Sequence, residues 1–228
     1  MVHLTKGIVT GGALTFIFWR SSTDESLLED SGAFTRFTRA MIGLVSYQEL
    51  VSPHERFAGI QFNIEPHQQP DWNANRGIWV QRKIDFVEYV HDTYGDRFTI
   101  DWCIPAWWHN RTHDHSVTHR GVPNVSLYRA IMDEGNRTLV MAFRNTAERM
   151  ISFGHDVIAY AQSIGQEVVV IATVRATDPY DHVFFANLGA EEMLNQLGRL
   201  DNLILTEFGD VKVGTAVHHI LDWHNWPV

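Results

Sequence analysis

A carboxylate at the end of a predicted strand is the residue best placed for chemistry in this sequence. Within the segment from Phe57 to Trp72, apolar and polar residues alternate over IQFNIE, which predicts a strand with one apolar face packed against helices and one polar face. Pro66 has no N–H to donate and ends this strand directly after Glu65. Barrel enzymes built from β/α units keep their catalytic groups at such strand ends. Glu65 is therefore the candidate general acid or base, and the alternative is a structural acid, held in a barrel mouth or paired with Arg144.

A carboxylate that acts as general acid or base often works with a second carboxylate close by. Asp101 is the leading candidate, because it faces inward on the next predicted strand. Asp178 and Asp222 are weaker candidates. Asn63 precedes Glu65 on the same strand face, where an aspartate would raise the pKa of Glu65 by repulsion. An asparagine cannot do so, but it can hydrogen-bond Glu65 or a substrate amide.

Aromatic and histidine side chains supply the remaining candidates. Trp102, Trp107 and Trp223 lie near predicted strand ends, where one of them could stack on a sugar ring; the alternative for each is core packing. A second cluster consists of His109, His113, Asp114, His115 and His119. Imidazole suits Zn, Cu or Ni, yet this spacing matches no motif such as H-E-x-x-H. We expect a solvated histidine-rich loop from His109 to Arg120, with no metal and no cofactor; a metal-dependent hydrolase is the alternative.

Strands and helices alternate along the whole chain, which predicts a parallel sheet. Six strands are predicted, at Leu14–Trp19, from Phe57 to Glu65, at Phe98–Trp108, Arg137–Asn145, Glu167–Thr173 and Gly214–Trp223. Helices are predicted within Ser26–Leu50 and at Trp79–Tyr94, Leu127–Gly135, Ala147–Ile164 and Ala190–Leu200. Since no change of composition marks a boundary, residues 1–228 are interpreted as one domain.

Composition excludes several classes of protein. The chain has 228 residues and a net charge of -9 with no basic block, which argues against nucleic-acid binding. A single cysteine, Cys103, excludes an internal disulfide. No apolar stretch reaches the roughly 18 residues of a membrane span. The apolar run from Ile8 to Trp19 lacks a convincing cleavage site and is better interpreted as a buried strand than as a signal peptide. We therefore expect neither nucleic acid nor membrane as a partner.

Five segments together resemble a known family. FAGIQFNIEPH, FTIDWCIPAWW, TLVMAFRNT, VVVIAT and GTAVHHILDW follow one another in this order. They resemble a group of uncharacterised microbial TIM-barrel proteins related to glycoside hydrolases and, more distantly, to chitinase-like enzymes. The resemblance runs from about Phe57 to Trp223 and implies a (β/α) barrel. Because the region before Phe57 is short by about two βα units, this barrel is expected to be incomplete at its N-terminus.

The resemblance also assigns individual residues. Glu65 matches the acid of the family's fourth strand, and Met141, His218 and His219 match later motifs, while Asn63 replaces an aspartate and Phe143 a tyrosine. We predict a carbohydrate-active hydrolase with Glu65 as general acid/base and Asp101 as its partner. The alternative is a non-catalytic carbohydrate-binding or structural relative that has lost its acid pair. The expected substrate is a carbohydrate or another small polar molecule, and the expected substrate-binding residues are Asn63, Trp102, Trp107, Met141, Arg144, His218, His219 and Trp223.

Overall fold

The computed structural model describes residues 18–21, 31–109, 115–174, 182–209 and 212–218. The chain divides into two compact units. The first consists of Met1–Cys103 and His115–Asn136, and the second of Ile104–Asp114 and Arg137–Val228. Within the described residues, no helix is both long and apolar enough to cross a membrane.

The described part of the first unit contains three parallel strands and three helices. Strand β1 (Phe18–Ser21) pairs with β2 (Gly59–Ile64), which pairs with β3 (Thr99–Pro105); of β3, Thr99 to Cys103 belong to this unit. The helices are α1 (Ser31–Leu50), α2 (Trp72–Tyr94) and α3 (Leu127–Glu134). Two short 3-10 turns, Pro53–Glu55 and Pro66–Gln68, flank β2.

An aromatic core packs α1 and α2 on one face of β2 and β3. Phe62 stacks on Trp102 with ring centroids 4.7 Å apart, and Phe37 and Phe86 contact Phe62 from α1 and α2. The opposite face carries polar side chains, since the Gln61 amide donates a 3.1 Å hydrogen bond to the Cys103 thiol of the next strand. Gly59 permits the close approach of β2 and β3, because an added Cβ would lie 2.3 Å from the Thr99 carbonyl oxygen. The predicted two-faced strand is confirmed.

A hairpin completes this unit. Strands β4 (Ser116–His119) and β5 (Val122–Ser126) are antiparallel, and the two residues that join them, Arg120 and Gly121, both have positive φ, as a type I′ turn requires. A positive φ is costly for arginine. The side chain offsets this cost, because it makes paired hydrogen bonds to Asp92 of α2, at 2.7 and 2.9 Å, and to Glu134 of α3, at 2.7 and 2.8 Å.

The second unit, in its described residues, has three further parallel strands and two helices. Strand β6 (Arg137–Met141) pairs with β7 (Glu167–Thr173), which pairs with β8 (Val213–His218). Helix α4 (Ala147–Ile164) ends at Gly165 in the left-handed region (φ +69°), and α5 (Ala190–Phe208) packs beside it. The 3-10 turn Ala106–His109 also contacts α4.

The predicted α/β class with parallel strands is confirmed, and α4 and β7 have the predicted bounds. Helix α2 begins at Trp72, earlier than predicted, and β6 ends at Met141 instead of Asn145. The prediction of a solvated loop from His109 to Arg120 is wrong for its second half. Residues 116–119 form β4, and His115 and His119 are buried, with 6% and 8% of their surfaces exposed.

Candidate functional site

Glu65 sits where β2 gives way to a turn. Pro66 begins the 3-10 turn Pro66–Gln68, and the Gln68 N–H donates to the Glu65 carbonyl at 3.0 Å. This turn folds the chain back, so that His67 and Gln68 reach the Glu65 carboxylate. The Glu65 side chain is 18% exposed. The local sequence NIEPHQ thus builds the surroundings of the carboxylate within six residues.

Three donors hold the Glu65 carboxylate. Asn63 Nδ2 donates to Oε1 at 2.8 Å, while Gln68 Nε2 lies 2.8 Å and His67 Nε2 3.2 Å from Oε2. Burial by itself would raise the pKa of Glu65, but the hydrogen bonds of these three side chains and the charge of His67 together hold the pKa below its usual value. The group is therefore an ionised hydrogen-bond acceptor at neutral pH.

Asn63 contributes a second acceptor beside Glu65. Its Nδ2 is used by Glu65, whereas its Oδ1 is buried and has no hydrogen-bond partner among the residues that the structure describes. A buried amide oxygen without a donor costs free energy, of the order of 1 to 3 kcal/mol. Two acceptors on neighbouring side chains therefore offer a place for a donor from outside the chain.

Asp101 does not lie beside Glu65. The register pairs Asp101 with Gln61, so Glu65 is four residues farther along the strand direction, about 13 Å at roughly 3.3 Å per residue. This backbone offset is longer than the roughly 5 to 9.5 Å between the paired carboxyl groups of glycosidases, so the two side chains would have to lean toward each other to act as a pair. Asp101 is also 2% exposed and lies within the strand instead of at its end.

A buried lysine lies on the helix side of the same strands. Lys83 of α2 is fully buried, and its Nζ lies 4.4 Å from the centre of the Trp102 ring. Neither Lys83 Nζ nor Trp102 Nε1 has a hydrogen-bond partner within the described part of the chain. Burial lowers the pKa of Lys83 to about 7, and the negative charge of Glu65 opposes this shift. Trp102 itself is fully buried, so the structure places it in the core, where its ring is not available to a sugar.

The predicted residues of the second unit gather at the ends of its strands. His218, the last residue of β8, pairs with Thr173 and stacks on Phe143, with ring centroids 5.9 Å apart. Arg144 follows Phe143, and its Cζ lies 3.9 Å from the centre of the Phe153 ring. Met141 is 9% exposed at the end of β6. The pairing of Arg144 with Glu65 stays a prediction.

The remaining predicted residues are less informative. Trp107 is half-buried and meets Trp108 edge to face at 6.3 Å. The other candidates, His219, Trp223, Asp178, Asp222, His113 and Asp114, lie outside the described residues.

The described histidines of the predicted cluster have protein partners. His119 Nδ1 lies 2.9 Å from a Glu88 oxygen and its Nε2 3.4 Å from a Glu134 oxygen. His115 packs against Trp72, and His109 against Phe153. Across the described ranges, no three histidine, cysteine or acidic side chains are grouped as a metal site requires. The absence of a metal stays a prediction.

No family model matches the chain, and neither the curated proteins nor the solved structures include a match. The resemblance to glycoside hydrolase relatives therefore stays a prediction.

Sequence reasoning located Glu65 but missed the residues that control it. His67 and Gln68 lie within three positions of Glu65, but a proline after a strand does not indicate that the turn brings these side chains back to the carboxylate. Lys83 was also missed, although it falls on the stripe of α2 formed by Val80, Val87 and Val90, where a lysine interrupts an apolar pattern.

Proposed function

We propose that the Glu65 site binds a carbohydrate or a similar polyhydroxyl molecule without hydrolysing it. The observation that carries this proposal is the pair of acceptors, the ionised Glu65 carboxylate and the unpartnered Oδ1 of Asn63. Sugar hydroxyls are donors that can satisfy both, and a hydrogen bond to a charged group is worth about 1.5 to 3 kcal/mol. Because the Glu65 side chain is 18% exposed, a ligand in solution can reach its carboxylate.

Two features favour binding over hydrolysis. A general acid must carry its proton near neutral pH, whereas the donors around Glu65 favour its ionised form. The predicted second carboxylate, Asp101, lies four residues away along the strand direction. The hydrolase remains the alternative proposal, in which Glu65 would act as a base and a carboxylate other than Asp101 would complete the pair.

We also propose that the parallel strands belong to a (β/α) barrel that is incomplete at its N-terminus. In the first unit, Gln61 and Cys103 share the face opposite the aromatic core, which is the arrangement of a barrel interior. A crystal structure with an open sheet would overturn this proposal.

Binding is tested by titrating neutral oligosaccharides into the protein by calorimetry, after a glycan array has selected them. Glu65→Gln should weaken binding about 10- to 100-fold, since it removes the charged acceptor. The matched control is Glu49→Gln, which neutralises a carboxylate that is 69% exposed in α1. Thermal melts show whether both variants fold. Unchanged affinity in folded Glu65→Gln, or no binding of any glycan by the wild type, would overturn the proposal.

Hydrolysis is tested separately with aryl glycosides and with the glycans that bind. The wild type should release no product. Asn63→Asp should raise the pKa of Glu65 by like-charge repulsion and remove the hydrogen bond to Oε1, and so weaken glycan binding. Turnover by the wild type that disappears in Glu65→Gln would favour the hydrolase alternative.

A further inference from the structure

A cavity in the second unit is lined by an unusual set of side chains for such an acidic protein. Its volume is about 510 Å³, within the range of roughly 300 to 1,000 Å³ that is typical of small-molecule sites. Its walls are formed by Arg144, Glu148, Arg149, Ser152, Phe153 and His182. The chain as a whole carries a net charge of -9, so two arginines in one cavity are a local reversal of sign.

The two arginines of the cavity are held differently. Arg149 is exposed and makes no hydrogen bond or ion pair with any described residue. Arg144 is fixed in place, because Nη1 donates to the Phe143 carbonyl at 2.6 Å and the guanidinium lies over Phe153. Among the described residues of the wall, the one carboxylate, Glu148, is paired with Arg199.

Helix geometry aims these groups at the same space. Ser152 and Phe153 lie three and four residues after Arg149 on α4, so the three side chains share one face of the helix. Arg144 approaches from the end of β6, and the backbone carbonyl of His182 accepts a 3.1 Å hydrogen bond from the N–H of Asn145. The cavity thus combines two guanidinium groups, a hydroxyl and an imidazole beside an aromatic ring.

We infer that this cavity binds a small organic anion, with its phosphate or carboxylate group between Arg144 and Arg149. Guanidinium groups match both oxyanions, because two parallel N–H donors can serve two oxygens. Ser152 and His182 supply further hydrogen bonds, and Phe153 supports the carbon frame of the ligand. This inference goes beyond the binding of neutral sugars proposed for Glu65 and does not depend on it.

The test is calorimetry at low ionic strength with inorganic phosphate, glucose 6-phosphate and glucuronate, and with glucose as the neutral probe. The anions should bind, glucose should not bind at this cavity, and added NaCl should weaken binding, since exposed charges are screened. Tighter binding of glucose 6-phosphate than of glucuronate assigns a phosphate site, and the reverse order assigns a carboxylate site; either order supports the inference.

Variants locate the binding. Arg149→Gln should weaken anion binding about tenfold, the loss expected for one charge-assisted hydrogen bond. Ser152→Glu places a carboxylate in the cavity and should abolish binding. The control is Arg39→Gln, which removes an exposed arginine from α1. Glu65→Gln should leave anion binding unchanged. The anion inference and the carbohydrate proposal can therefore fail independently of each other. The inference would be overturned if the wild type bound no anion, or if folded Arg149→Gln and Ser152→Glu both bound the anions as tightly as the wild type.

Discussion

Replacing Lys83 by methionine should stabilise the protein at neutral pH and below. Lys83 is fully buried among apolar side chains, and no described residue accepts a hydrogen bond from its Nζ. Methionine has nearly the same length and fills the same space without an amine. The substitution therefore removes a costly group and leaves the packing of α2 on Trp102 in place.

The size of the effect follows from the pKa. Burial lowers the pKa of Lys83 from 10.5 to about 7, and each pKa unit corresponds to about 1.4 kcal/mol. Below pH 7, where the amine is charged in both the folded and the unfolded protein, burying this charge therefore costs of the order of 5 kcal/mol of folding free energy. The cation–π contact with Trp102 offsets up to about 2 kcal/mol of it. Lys83→Met should gain about 2 to 4 kcal/mol in the free energy of unfolding below pH 7.

The sign of the pH dependence provides a sharper test. Because the folded-state pKa lies below the unfolded one, the unfolded chain binds more protons between about pH 7 and pH 10.5, and wild-type stability rises with pH in this window. The advantage of the methionine variant should therefore shrink as the pH rises. Urea denaturation of the wild type, Lys83→Met and the exposed control Lys212→Met measures this difference, and contributions common to all three cancel. A destabilised Lys83→Met, or a difference independent of pH, would refute the reasoning.

Three further predictions concern the first unit. Arg120→Ala should lower the free energy of unfolding by about 1 to 3 kcal/mol in urea denaturation, because buried Glu134 loses a paired donor; no change would show that the pair contributes nothing. Gly59→Ala should lower the free energy of unfolding by about 1 to 3 kcal/mol, because the added Cβ meets a backbone oxygen of β3. Gly77→Ala, at an open position of α2, should raise the free energy of unfolding by about 0.5 to 1 kcal/mol. Equal effects of the two substitutions in thermal melts would contradict the close approach of β2 and β3 at Gly59. Because the pKa of Glu65 is lowered in the folded state, its contribution to stability is present above the unfolded-state pKa and is lost as the pH falls through the folded-state pKa. The acid unfolding curves of the wild type and Glu65→Gln should therefore diverge in this pH range. Parallel curves would count against a stabilising contribution of Glu65.

Elements with strong local signals could be predicted from the sequence. Helix α4 and strand β7 have the predicted bounds, since Gly165 provides the stop signal between them. The hairpin β4–β5 could not be predicted, because its turn places Arg120 at positive φ. That conformation depends on ion pairs to α2 and α3, which are distant in sequence. Helix α2 begins at Trp72, before the apolar stripe from which it was predicted, and Asn75 departs from helical geometry near this start.

The candidate site shows the same division between local and distant information. Glu65 and its strand end were identified from alternation and from Pro66, both of which are local. Asp101 lies on the neighbouring strand, as predicted. Its pairing with Gln61 depends on the register of the two strands, which could not be predicted from this single sequence. The lowered pKa of Glu65 depends on the turn that brings His67 back to the carboxylate.

The pKa of Glu65 is the most direct test of the proposal that this residue is an ionised acceptor for a ligand and not a general acid. It can be measured by NMR titration of the side-chain carboxyl carbon, assigned with the Glu65→Gln variant. The account predicts a value below the usual one of about 4.3, and a higher value in Asn63→Asp. A wild-type value raised toward about 6, as general acids of glycosidases show, would contradict it.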